Sequence, residues 1–235
     1  TILEERFGLP VFVDNDVNVQ LRGEQWKGAV AGRTNALCFS IGTGIGGALL
    51  IGGQIHRGTH YMAGEVGGTL LDRTQLILNH LEGYGPLERA ASGPGLGRYV
   101  IGRLDAGASS ELRRSWAEGQ TVTPREIFAA AYRKDGLALE AVDWLGQHLA
   151  LMVGNACLLV DPQVVVLTGS VSTGADLFLE PMVAAMRNFV AFMPEVVVSE
   201  LGARAGVLGA VAGVLSLGIS SISFRAGQSV MLGTR

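Results

Sequence analysis

The chain has 235 residues, which at roughly 100–200 residues per domain allows one large domain or two small ones. With 18 basic and 21 acidic side chains the net charge is −3, and 17% charged against 48% hydrophobic residues exclude both a disordered polymer and a polyanion binder by bulk charge. The 34 glycines are about twice the usual share of ~7%, yet 7 prolines leave the composition short of low complexity and speak for ordered loops with tight backbone.

The chain opens on Thr1 with no initiator methionine and no charged-then-apolar leader, as expected of part of a longer polypeptide. Leu9-Pro10-Val11-Phe12-Val13 predicts a short strand, and Asp14-Asn15-Asp16 behind it can cap a helix running to about Val30. Ala36-Leu37-Cys38-Phe39-Ser40-Ile41 predicts a second strand and Gly47-Ala48-Leu49-Leu50-Ile51 a third, with Gly52-Gly53 turning into a short fourth. The polar stretch 105–123 is an excursion between helices. Thr123-Pro124-Arg125-Glu126 combines an N-cap, a first-turn proline and a glutamate at the third helical position, opening a helix through about Arg133.

From Gly136 to Val160, apolar residues recur at steps of three or four, from Ala138 and Val142 to Ala156 and Val160, before Asp161-Pro162 stops the helix. Val164-Val165-Val166-Leu167 predicts a buried strand, Thr168-Gly169-Ser170 a tight turn and 174–190 a helix; 195–201 and 205–218 repeat that order. Residues 205–224 carry no charge and approach the length of a bilayer span. Their interspersed glycines and serines favour instead a buried helix ending near Gly218 and a polar tail. Early strands, then helices, then strand–helix units predict an α/β domain with a mixed sheet. Cys38 and Cys157 are far apart and outside any C-x-x-C, so neither a disulfide framework nor a cysteine zinc site is available, and a reducing, cytoplasmic home is expected.

Gly42-Thr43-Gly44-Ile45-Gly46-Gly47 fits G-x-G-x-x-G, but a strand follows where a dinucleotide site needs a helix, and no G-K-[ST] makes it a P-loop. What remains is a strand–turn–strand whose amides and Thr43 hydroxyl can hold a phosphate, beside the alternative of a hairpin that needs glycine for its backbone. Asp14, Asn15 and Asp16 stand at a strand end; one residue suffices to cap the helix, so at least one is free for other work. Glu65, flanked by glycines, and Glu88, behind Gly85-Pro86, are candidate acceptors for sugar hydroxyls, against the alternative of ordinary loop and first-turn acids. His56, His60, His80 and His148 show no metal-binding spacing.

Together these motifs resemble the ROK family of repressors, uncharacterised frames and sugar kinases, within the actin-like ATPase superfamily. Val13-Asp14-Asn15-Asp16-Val17-Asn18 is similar to the family's N-D-x-N segment, the glycine loop to its second phosphate loop, and His56-Arg57-Gly58 with Ala63-Gly64-Glu65-Val66-Gly67 to its R-G…A-G-E-x-G sugar segment. Leu87-Glu88-Arg89-Ala90-Ala91-Ser92-Gly93 resembles the next sugar contact, and the stretch from Asp161-Pro162 to Gly169-Ser170 the adenosine segment.

The resemblance implies an actin-like, ribonuclease H-like fold and ATP-dependent phosphorylation of a hexose or N-acetyl-hexosamine hydroxyl. Asp16 would be the general base, with Asn15, Glu65 and Glu88 on other hydroxyls. Gly42, Thr43, Gly44 and Gly46 would face the ATP phosphates, Gly169 and Ser170 the nucleoside, and Mg²⁺ would come with ATP. The family's zinc positions read Gly68, Asn79, Leu81 and Pro86, so no zinc is expected. The whole chain, 1–235, would be the C-terminal sugar-kinase-like domain, the family's D-x-G-G-T half lying outside it. The alternative is the sugar-sensing domain of a regulator, which would touch DNA only through a helix-turn-helix outside this chain. A homodimer is the default expectation, and no membrane partner is expected.

Overall fold

The computed structural model describes residues 2–77, 83–117, 119 and 121–217. A short helix α1 (Ile2–Phe7) precedes α2 (Asp16–Lys27), which Asn15 caps as the sequence predicts. β1 (Ala36–Ile41), β2 (Ile45–Ile51) and β3 (Gln54–His56) then form an antiparallel run. Gly52 and Gly53, at φ 57° and 79°, supply the paired left-handed residues that a two-residue hairpin turn demands.

Helices follow in a block: α3 (Pro86–Ala91), α4 (Gly93–Asp105), α5 (Arg113–Ala117), α6 (Pro124–Tyr132) and α7 (Gly136–Val160). The Thr123 hydroxyl receives the Glu126 amide and the Glu126 carboxylate receives that of Thr123, the reciprocal cap the sequence announces for α6. α7 ends where Asp161 turns left-handed at φ 49°, ahead of a proline that cannot continue a helix. β4 (Val164–Thr168), α8 (Ala175–Met186), β5 (Glu195–Val198) and α9 (Arg204–Leu215) complete the fold.

The five strands make one sheet in the order β3-β2-β1-β4-β5, with β4 parallel to both β1 and β5. Side chains alternate across it. Leu37, Phe39, Ile41, Val165 and Leu167 face a core built with the helix block and α8, whereas Ala36, Cys38, Val164 and Val166 face a second core with Val17 and Leu21 of α2. An α/β domain with a mixed sheet between helical layers is therefore the observed class.

Four local expectations change. Residues 9–13 form no regular element and pair with no strand among the described residues. The Phe12 ring packs instead against Gly213 of α9, with the Arg22 guanidinium 5.3 Å from its centroid, so the β-branched pattern signals a half-buried surface that is not a sheet. The helix expected over 174–190 begins with a 3-10 turn, Val171–Gly174, and ends at Met186. α2 stops at Lys27, where Gly28 leaves helical geometry. α9 ends at Leu215, three residues before the expected end at Gly218; Gly218 and the tail beyond it lie outside the described residues, among which no helix is long and apolar enough to cross a membrane.

Candidate active site

The N-terminus of α2, the turn between β1 and β2, and the starts of α3 and of the segment after β3 meet around a cleft of about 390 Å³, lined by Asn15, Asp16, Thr43, Gly44, Glu65 and Glu88 among others. Asn15, Asp16, Glu65, Glu88 and the glycine loop are thus brought to one cleft, whereas Gly169 and Ser170 line a neighbouring cavity.

The three adjacent polar residues divide their work. Asn15 is the cap: its Oδ1 accepts the amides of Val17 at 2.9 Å and Asn18 at 3.3 Å, so only its NH₂ is left for a ligand. Asp14 is structural, taking Arg57 Nη2 at 2.5 Å and Nε at 3.2 Å, with Asn18 Nδ2 at 3.1 Å. Burial pushes the Asp14 carboxyl up, but hydrogen bonds from Arg57 and Asn18 outweigh it and hold the group below the usual carboxylate range. Asp16, exposed like Asn15, is the carboxylate outside the ion pair; its Oδ1 receives the Val17 amide at 2.9 Å and it lines the cleft. Asp16 therefore sits two residues beyond a locked ion pair.

In the glycine loop, the Gly42 amide donates to the Gly44 carbonyl at 2.9 Å and the Ile45 amide to Glu88 Oε1 at 3.0 Å. The amides of Thr43 and Gly44 have no hydrogen-bond partner among the described residues and, with the Thr43 hydroxyl, are donors available to an anion. Gly46 is glycine for closeness: a Cβ there would lie 2.7 Å from Val17 Cγ2, so the loop could not approach the start of α2. Gly42 and Gly46 thus shape the loop, while Thr43 and Gly44 carry its free donors.

Glu65 is exposed and its side chain has no hydrogen-bond partner among the described residues. Glu88, third residue of α3, is half-buried and accepts from Gly85 N at 3.0 Å as well as from Ile45. Glutamate at that helical position predicts the Gly85 bond; the Ile45 bond spans 43 positions and has no local signal. The Asp14–Arg57 pair likewise spans 43 positions and has no local signal.

Gly169, at φ +91°, brings the turn after β4 against Ile41, where any Cβ would lie 2.4 Å from the carbonyl oxygen. This sets Ser170 Oγ beside Gly42. Ser170 and Thr173 form the shared wall of two further cavities, one of about 480 Å³ reaching Ser40 and Ser199, the other of about 520 Å³ against Pro124, Phe128 and Tyr132 of α6. Nucleotide-sized space therefore continues from the glycine loop along the carboxyl ends of β1 and β4, where open α/β sheets bind ligands.

A mixed sheet with these loops at its carboxyl edge defines an α/β domain of the actin-like ATPase fold. The ROK family model matches residues 1–216, and the chain belongs to that family. It is 33% identical over 214 residues to a glucokinase of Halalkalibacterium halodurans, covering 88% of this chain and 64% of that one. It is 32% identical over 220 residues to a putative xylose repressor of Caldicellulosiruptor sp., covering 92% and 54%. A ROK family glucokinase from Streptomyces griseus, solved with glucose and AMPPNP, superposes with a TM-score of 0.74 at 29% identity, over 88% of this chain and 69% of that one. The chain thus spans somewhat under two thirds of the first of these relatives and about half of the second.

Of the positions where the family carries zinc ligands, Gly68 and Pro86 are described and offer no donor side chain; Asn79, Leu81 and the neighbouring His80 lie outside the described residues. Among the described residues no three His, Cys, Asp or Glu side chains are grouped to hold a metal ion.

Proposed function

We propose that this chain is the sugar- and nucleotide-binding part of an ATP-dependent kinase that phosphorylates a hydroxyl of a hexose or N-acetyl-hexosamine. One observation carries the reading: the carboxylate of Asp16 lines the same cleft as Thr43 and Gly44, whose amides have no partner among the described residues. Phosphoryl transfer needs little covalent chemistry from a protein beyond alignment of an acceptor, charge neutralisation on the phosphates and a base for the departing proton.

In this reading Glu65, the Asn15 NH₂ and the unused lone pairs of Glu88 hold sugar hydroxyls. A carboxylate has about four acceptor sites, and Glu88 spends two on amides. Asp16 takes the proton of the attacking hydroxyl as the hydroxyl oxygen bonds to the γ-phosphorus and the bond from that phosphorus to the β–γ bridging oxygen breaks, so that ADP leaves. Thr43 and Gly44 meet the phosphates within the turn that Gly42 and Gly46 shape; Gly169 and Ser170 border the nucleoside, whose base has room against Phe128 and Tyr132. Mg²⁺ suits this donor set, because it is commonly held by one or two carboxylates, substrate phosphates and water rather than by a protein cage.

A repressor among the relatives, at 32% identity, supports a second reading in which the same cleft only senses a sugar. ADP release measured over a panel of hexoses and N-acetyl-hexosamines separates the two. The kinase reading expects sugar-dependent release that falls at least about 100-fold in Asp16→Asn, with an unchanged circular dichroism spectrum. Sugar binding by calorimetry without release for any sugar would transfer the cleft to the sensor.

A further inference from the structure

Glu88 sits among three backbones. A Cβ at Gly44 would lie 2.4 Å from its Oε1, one at Gly67 would lie 2.6 Å from its Cγ, and Gly85 gives its amide to Oε2. Such packing exceeds what a sugar contact requires, since a ligand-facing carboxylate needs one free edge and not three glycine walls. The bond to Ile45 has a directional consequence. With the Ile45 amide turned to Glu88, the carbonyl of the same peptide, Gly44 O, points the opposite way and accepts from Gly42 N at 2.9 Å. That closes the turn and leaves the amides of Thr43 and Gly44 without a partner among the described residues.

We propose that Glu88 is a positioning residue for the phosphate loop: it fixes the Gly44–Ile45 peptide and so presets the Thr43–Gly44 nest before any sugar arrives. This rests on the kinase reading only for the identity of the loop's ligand. A hydrogen bond from a backbone amide to a carboxylate is among the stronger kinds, and one oxygen for each amide leaves little freedom to the loop. The assignment also links the two halves of the cleft, because the residue that would touch a sugar hydroxyl is the one that holds the nucleotide turn.

The test uses the full chain with ADP as probe and no sugar. Glu88→Gln keeps size but presents an NH₂ donor to one of two amide donors, so one bond is lost. The proposal expects amide exchange at Ile45 or Gly85, followed by NMR, to quicken at least about tenfold while β4 amides keep their protection, and ADP affinity to fall by about tenfold. Glu88→Asp, too short to reach both amides, should behave the same way. Wild-type affinity for ADP in these variants, or unchanged protection at both amides, overturns the positioning role alone. A wild-type chain that binds no ADP overturns the kinase reading and this inference together.

Discussion

Asp14 and Arg57 form an ion pair two residues before Asp16. The Asp14 side chain is 4% exposed and Arg57 31%, and the guanidinium meets both carboxylate oxygens, a planar fit that lysine could not copy. The pair clamps the end of β3 to the residue just before the cap of α2. Removing one partner leaves a nearly buried charge, so Arg57→Ala is expected to cost about 2–3 kcal/mol, read from urea midpoints at pH 7. The pH dependence follows from the depressed folded-state pKa of Asp14. An unfolded aspartate protonates near 3.9, above the folded value, so the unfolded chain takes up this proton first. The stabilisation is complete above about pH 5 and is lost as pH falls through the folded value. Asp14→Asn should therefore flatten the acid limb of stability below about pH 4, where the unfolded aspartate protonates before the folded one; an acid limb as steep as wild type would show that this carboxylate does not contribute it.

Helices α2 and α9 touch backbone to backbone. A Cβ on Gly209 would lie 1.7 Å from the Val19 carbonyl oxygen, and one on Gly23 2.1 Å from that of Ala205. Because α2 carries Asp16 at its first turn, this crossing transmits packing into site geometry. Gly209→Ala is expected to destabilise by about 2–3 kcal/mol through overpacking. Gly206→Ala, on the same helix with nothing within 4 Å, should be neutral or gain up to about 1 kcal/mol from helix propensity. Equal midpoints for the two variants would mean that α9 does not press on α2 as described. This crossing also marks the edge of what was legible in the chain. The bounds of α7 follow from periodicity and a stop at Asp161-Pro162, and the β2–β3 hairpin from Gly52-Gly53, since both signals are local. Residues 9–13 carry an equally local signal, but whether a strand forms depends on a neighbour, and their neighbour is a helix face. At the site, the sequence supplied which residues gather; it could not divide Asp14, Asn15 and Asp16 into clamp, cap and open carboxylate, because that division depends on Arg57, 43 positions away.

On the scale of the whole molecule, the sheet makes one ligand surface from two distant stretches of chain. Parallel pairing of β1 with β4 aligns Ser40 with Thr168, so the glycine loop and the Gly169–Ser170 turn leave the sheet side by side, with the Gly42 Cβ position 3.6 Å from Ser170 Oγ. A nucleotide lying across both turns would bind only when β1, β2 and β4 are assembled, so its binding energy becomes folding energy. At 100 times its dissociation constant ADP should add about 2.7 kcal/mol, which for a chain of this size is a rise in Tm of about 5–11 °C. Gly42→Val tests the location. Its backbone is not left-handed, so the branched side chain fills the gap between loop and turn without backbone strain. The unliganded Tm should then stay close to wild type while most of the ADP-induced rise disappears. An undiminished rise in Gly42→Val would move the nucleotide away from the β1–β4 edge, and with it the premise that Asp16 and the phosphates share one cleft.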